Sequence, residues 1–203
     1  ALRETFRDDD AIRVHPIITK GGDLVNNVPD DVRIETYVRA KTMDAIDRTN
    51  AKVDAALRAG GAAIGAKVNI DTLPGQLPLI CNQEMNELFV HNAQEAFPAV
   101  KITNAGHFSA STDMGDVSHL MPAIHPFIGG VDGLLHGPDF KVVDFKAAAL
   151  LPGKAFAGMV IDLLSDDAKE AKKILADFKP ALTKEQYIAK LDGYFSEEEP
   201  DHD

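Results

Sequence analysis

The sequence predicts a mixed α/β fold. Three observations carry this. Two short β-branched runs are followed by a helical stretch and then a third alternating run, all within about 60 residues. The second half is dominated by amphipathic or apolar helical patterns. The chain has 203 residues and 45% hydrophobic content, enough for a sizeable core in one or two domains.

Residues 12–19 (IRVHPIIT) alternate roughly and contain Pro16, which predicts a strand at an edge or a bulge. Gly21 and Gly22 break the pattern, and NNVPD (26–30) is a turn-rich approach to the next run. Residues 32–40 (VRIETYVRA) alternate cleanly. Val32, Ile34, Thr36 and Val38 fall on one face, and Arg33, Glu35, Tyr37 and Arg39 on the other, as in a half-exposed strand.

The spacing predicts a helix over 42–59, capped by Thr42, with Met43, Ile46, Val53 and Leu57 near one stripe and Gly60-Gly61 ending it. Residues 63–73 (AIGAKVNIDTL) read as a further strand, and PGQLP (74–78) as a hinge. A helix follows over 82–97, then a short strand candidate over 100–103. Asp144 opens a strongly apolar helix running to Leu164, in which Gly153 and Gly158 allow close packing. A charged helix covers about 166–178. TKEQ (183–186) is a capping box for a last helix, and SEEEPDHD (196–203) reads as a frayed acidic tail. Residues 1–6 read as the tail of a helix, so the chain is expected to start inside an element; removal of an initiator Met is the alternative.

The formal net charge of −11 disfavours nucleic acid and anionic lipid as partners. No apolar run reads as long enough to cross a bilayer, and the first ten residues are not a signal peptide. Cys81 is the sole cysteine, which excludes an intrachain disulfide and a zinc ribbon and fits a reducing, cytoplasmic setting.

The residues able to carry chemistry concentrate between 91 and 136. AGHFSASTDMGD (105–116) is rich in hydroxyl and carboxyl groups and lies between apolar elements. It reads either as a polar loop in which Thr112 or Asp113 caps a short helix, or as an active-site loop. Five of the seven histidines lie in this interval: His91, His107, His119, His125 and His136. His136, in GLLHGP (133–138), sits at an element end suited to a metal ligand, although such a histidine is more often structural. The sequence contains no His-Glu-x-x-His pair and no phosphate-binding glycine loop. Arg39 reads as a solvated edge residue or as a bidentate carboxylate binder. Asn26 and Asn27 read as turn formers, either of whose amides is also suited to polarising a carbonyl.

The order of four motifs is familiar. RVHPIITKGGDLVNNVPDDVRIETYVRA (13–40) resembles the lid-domain core of the zinc peptidase and amidohydrolase family that includes carboxypeptidase G, aminoacylases, auxin-conjugate hydrolases and p-aminobenzoyl-glutamate hydrolase subunits. LPLICNQEM (77–85), ASTDMGDVSHLMPAIHPFIGG (110–130) and GLLHGPDF (133–140) resemble, in order, the return into the catalytic domain, the pocket loop with its following strand, and the segment bearing the last metal-binding histidine. The Ser-Thr-Asp form of the loop is nearest the aminobenzoyl-glutamate branch.

The resemblance implies an α+β lid of split βαβ type (1–73), the C-terminal part of an α/β phosphorylase/hydrolase-like catalytic domain (74–180), and a C-terminal helix and tail (181–203). It implies that His136 is a metal ligand, that Arg39 holds the substrate carboxylate, and that Asn26 reaches toward substrate. Ser111, Thr112 and Asp113 would line the pocket. Two divalent metal ions, zinc or manganese, and a homodimer through the lid are also implied. Two departures stand out: Asn27 replaces a usual Val, and Thr112 an often-found Glu.

The family's general base and most of its metal ligands lie upstream of the matching region. The expectation is therefore an intact protein that hydrolyses an amide of an N-acyl amino acid or aminobenzoyl-glutamate type, and a present chain that is inactive alone. The alternative is a non-enzymatic dimerisation or regulatory module built from the same parts.

Overall fold

In a computed structural model of the chain, residues 2–104, 106–107 and 110–198 are described. The sequence readings of the 105–116 loop and of the acidic tail fall partly outside them. The structure mixes helices with short strands, more helix than strand, in two compact units. The first unit comprises 1–78, 106–112 and 188–203; the second comprises 79–105 and 113–187.

In the first unit the two strand regions break into smaller ladders. β1 (Arg13–Val14) pairs antiparallel with β4 (Val38–Arg39), and β2 (Ile17–Lys20) with β3 (Arg33–Glu35). The breaks fall at His15-Pro16 and Thr36-Tyr37, so the single strand expected over 32–40 is two strands. Pro16 has no N–H to donate to a ladder, which accounts for the first break. Burial departs from the sequence pattern as well. Val32 and Ile34, expected on a covered face, are 54% and 46% exposed. Alternation marks which side chains share a face; it does not supply the layer that covers them.

α1 (Met43–Ala62) is capped as expected, the Thr42 hydroxyl accepting the Ala45 N–H at 3.2 Å. It buries Ala45, Thr49 and Val53, and it runs through Gly60-Gly61 instead of stopping there. Of the strand expected over 63–73 only β5 (Ile70–Thr72) forms. Its partner is β8 (Ser196–Glu198), so the start of the expected frayed tail is an antiparallel strand. That segment is anchored by Tyr194, whose hydroxyl donates to the Asp47 carboxylate at 2.6 Å, and by Lys190, 2.9 Å from the same carboxylate.

The core of the second unit lies between α2 (Gln83–Ala96) and α4 (Leu151–Asp177). Phe89, Ala93, Ile124, Ala155 and Met159 are buried there together. Asn82 caps α2, its Oδ1 accepting the Met85 N–H at 2.9 Å. Asp144 caps the apolar helix as expected, its Oδ1 accepting the Lys146 and Ala147 N–H groups, and a π-helical turn at 146–150 leads into α4. α4 is two helices joined at a kink. Ser165 is extended and Asp166, Asp167 and Ala168 are left-handed, which separates the apolar and charged segments as the sequence predicts.

The stretch Lys146–Asp177 is, by length and composition, able to span a bilayer, with a mean hydropathy of 1.5 over its best window. This corrects the reading that no such run exists. Length and composition alone are weak evidence for a span; 11% of that window is buried, and α4 packs on α2 through Ala155 and Met159.

α3 (Met114–Leu120) is held by Ser118, whose hydroxyl donates to the Gly115 carbonyl at 2.6 Å and accepts the Ile80 N–H at 3.0 Å. β6 (Val131–Asp132) and β7 (Lys141–Val142) form a hairpin. No strand forms over 100–103. α5 (Lys184–Asp192) opens with the expected capping box: Gln186 N–H donates to the Thr183 hydroxyl at 3.2 Å, and Thr183 N–H to Gln186 Oε1 at 2.8 Å.

Candidate functional site

The six residues singled out by sequence divide between the units. Asn26, Arg39, Ser111 and Thr112 belong to the first, and Asp113 and His136 to the second.

Asn26 is exposed on a turn closed by the Asn27 N–H donating to the Leu24 carbonyl at 3.3 Å. Leu24, Val25 and Val28 around it are all largely exposed. Arg39 ends β4, directly opposite Arg13 of β1. Its guanidinium carbon lies 5.5 Å from the centre of the Tyr37 ring. Its Nε is buried and has no acceptor among the described residues; the same holds for the Thr36 hydroxyl.

Residues 106–112 join the first unit, where His107 lies close enough to Lys41 to feel its charge. Burial, and then that ammonium, hold the His107 imidazole below its ordinary pKa. His107 therefore lies near the segment immediately after Arg39. Arg39, Arg13 and Lys41 make this a cationic part of an acidic chain. Ser111 is exposed and Thr112 half-buried.

Asp113 precedes α3. Its carbonyl accepts the Asp116 and Val117 N–H groups at 3.1 and 3.4 Å, but its side chain does not cap the helix. Of the two caps the sequence offers, Thr112 or Asp113, Asp113 stands at the N-cap position without a side-chain capping hydrogen bond. His136 occupies the turn of the β6–β7 hairpin, exposed, with φ 64°. This left-handed conformation is uncommon outside glycine, though histidine adopts it more readily than most residues. The turn is tight: the Gly137 N–H donates to the Leu134 carbonyl at 2.7 Å. At its base the Gly130 carbonyl accepts the Val143 and Asp144 N–H groups. Gly130 has φ 91°, and a Cβ there would lie 2.6 Å from the Asp144 carbonyl oxygen, so only glycine fits.

The described residues do not fit a metal site by themselves. None of their His, Cys, Asp and Glu side chains gathers in a group of three, whereas a catalytic zinc needs about three protein ligands. Among the described residues His136 belongs to no such group. An open groove of about 630 Å³, lined by Cys81, Asn86, His91 and Asn104 among others, lies along α2 and contains none of the six residues.

Sequence reasoning passed over Arg13 and Thr36. Arg13 lay in plain view in the first strand, but its meaning depends on the register that sets it against Arg39, and composition does not reveal register.

Comparison with known proteins points to a peptidase relationship. No family model matches the chain, and no solved structure matches it. Two curated proteins named Xaa-Arg dipeptidase do. The one from Mus musculus is 29% identical over 186 residues, and the one from Homo sapiens 27% identical over 186 residues. In each case the match covers 87% of this chain and 42% of the relative. The chain thus spans about two fifths of the length of the curated relatives it matches, and those distant relatives are peptidases of the amidohydrolase/peptidase family that its sequence resembles.

Proposed function

We propose that the protein containing this chain hydrolyses the amide bond of a small substrate whose leaving amine is an amino acid with a free carboxylate. The observation that carries this is the match to two dipeptidases across 87% of the chain. An N-acyl amino acid, an aminobenzoyl-glutamate and a dipeptide all share that group. The relatives' name favours a dipeptide with a basic C-terminal residue, and a net charge of −11 suits a cationic side chain.

In this reading Arg39 holds the carboxylate and Asn26 approaches the scissile carbonyl. Ser111, Thr112 and Asp113 line the pocket, and His136 contributes one metal ligand. The metal ions, zinc or manganese, would supply a nucleophilic water and polarise the carbonyl. One histidine does not hold them, so the remaining ligands and the general base come from residues outside this chain. A homodimer through residues 1–73 completes the proposal.

The test is hydrolysis of dipeptides ending in Arg or Lys, of N-acyl amino acids and of p-aminobenzoyl-glutamate, with zinc or manganese and a chelator control. The substrates are offered to this chain and to a protein of the relatives' full length that carries it. Chelator-sensitive turnover by the longer protein alone is the expected result. Turnover by this chain overturns the claim that its metal site is incomplete. No turnover by either leaves the non-enzymatic dimerisation module as the better account.

A further inference from the structure

We propose that Arg13 and Arg39 form a two-guanidinium clamp for a carboxylate, so that Arg13 is a second recognition residue beside Arg39. The register sets the two residues directly opposite each other in the β1–β4 ladder. Directly opposed residues of an antiparallel pair project from the same face with Cβ atoms about 5 Å apart, and like charges so placed repel.

The first unit shows how this fold handles the same problem elsewhere. Lys20 and Arg33 are also opposed, in the β2–β3 ladder. There Asp31 lies between them, 3.2 Å from Lys20 Nζ and 2.9 Å from an Arg33 terminal nitrogen. No such acid serves Arg13 and Arg39 among the described residues. Asp10, from the preceding segment, is committed to Arg48 at 3.0 Å. Among the described residues, Arg39 Nε is buried without an acceptor, and the Thr36 hydroxyl, three residues away in sequence, is a second buried polar atom without a partner. Lys41 follows two residues after Arg39, near His107, and adds positive potential.

A buried donor left unmade is costly, and two guanidinium forks match the oxygens of a carboxylate. The Tyr37 ring beside the Arg39 guanidinium limits its orientations. An external oxyanion therefore does for Arg13 and Arg39 what Asp31 does for Lys20 and Arg33. The clamp rests on the hydrolase reading only in that the carboxylate is the substrate's; binding itself needs neither metal nor turnover.

The experiment is titration of the whole 203-residue chain with N-acetylglycine. Arginine Nε–H signals are followed by NMR, with N-acetylglycinamide and inorganic phosphate as comparison probes. The acid is expected to bind, the amide not, and phosphate more weakly than the acid. Arg13→Gln and Arg39→Gln are each expected to raise the Kd at least about tenfold, the loss typical of a hydrogen bond between charged partners. Arg13→Lys, which keeps the charge but not the fork, falls between. Circular dichroism of each variant confirms that the fold is retained.

Absence of binding by the unmodified chain overturns the clamp. So does an unchanged Kd for Arg13→Gln, equal binding of the amide, or tighter binding of phosphate. Loss of hydrolysis by the longer protein with carboxylate binding intact refutes only the proposed function; intact hydrolysis without that binding refutes only the clamp.

Discussion

Gly153 and Gly158 lie five residues apart in α4, and alanine at the two positions is expected to act with opposite sign. A Cβ on Gly153 meets no heavy atom within 4 Å. Gly153→Ala therefore removes only the helix penalty of glycine and stabilises by about 0.5–1 kcal/mol. A Cβ on Gly158 would run into the side-chain amide of Asn92, with Asn92 Cγ at 2.9 Å. Asn92 has little room to retreat. It is buried, and its Nδ2 donates to the Leu88 carbonyl at 3.0 Å and to the Asp162 carboxylate at 2.6 Å. Overpacking costs about 1–3 kcal/mol, and displacing a hydrogen bond to a charged group about 1.5–3 kcal/mol. Relaxation avoids part of both, and the helix-propensity gain offsets about 1 kcal/mol. The net expectation for Gly158→Ala is a loss of about 1–3 kcal/mol. Urea unfolding followed by circular dichroism, at unchanged m-value, reads both variants. Stabilisation by Gly158→Ala, or shifts of the same sign and size at both positions, would refute the packing of α2 on α4 argued here.

Three further outcomes follow from local geometry. Thr183→Ala removes the hydroxyl that accepts the Gln186 N–H, and it should cost about 0.5–2 kcal/mol in the same urea assay. Hydrogen bonds from Arg33 and then Lys20 hold the Asp31 carboxyl below its ordinary value of 3.8. A depressed carboxyl stabilises fully above 3.8, and that contribution is lost as pH falls through the lowered folded value. Amide exchange in β2 and β3 should therefore accelerate on acidification in that window, and Asp31→Asn should remove the dependence. Arg13→Gln relieves a like-charge pair, so at low salt and without added anion it should leave the thermal midpoint unchanged or raised. N-acetylglycine should then raise the midpoint of the parent chain but not of the variant.

Much of the local structure is legible in the sequence because its causes are local. Thr42, Asp144 and the Thr183 capping box satisfy helix N–H groups within three residues of themselves, and the structure shows each doing so. The separation of the apolar and charged helices at Ser165–Ala168 is likewise visible as a change of composition. What fails depends on distant partners. Residues 63–73 alternate as a strand should, yet only Ile70–Thr72 finds a ladder, and its partner is the acidic segment 196–198, which no local pattern marks as a strand. Gly60-Gly61 reads as a stop, but α1 continues to Ala62 because glycine permits a helix end without enforcing one. The candidate site divides in the same way. The residue types at Asn26, Arg39 and His136 are visible; that Arg39 faces Arg13 is a matter of pairing.

Register also decides what the first unit is built to do. A ladder that opposes two arginines gains nothing from them as a structural device, because their repulsion works against the pairing that creates it. Lysine and arginine on edge strands do discourage aggregation, but one solvated charge suffices, and a buried Nε does not serve that purpose. With Lys20 and Arg33 the sequence supplies its own counter-charge in Asp31. With Arg13 and Arg39 it supplies none among the described residues, although acidic residues outnumber basic ones 32 to 21 along the chain. A chain so rich in carboxylates that sets two arginines opposite each other with no counter-charge among the described residues is what the proposed clamp builds on, and a peptide's free C-terminus is the kind of group the clamp would take.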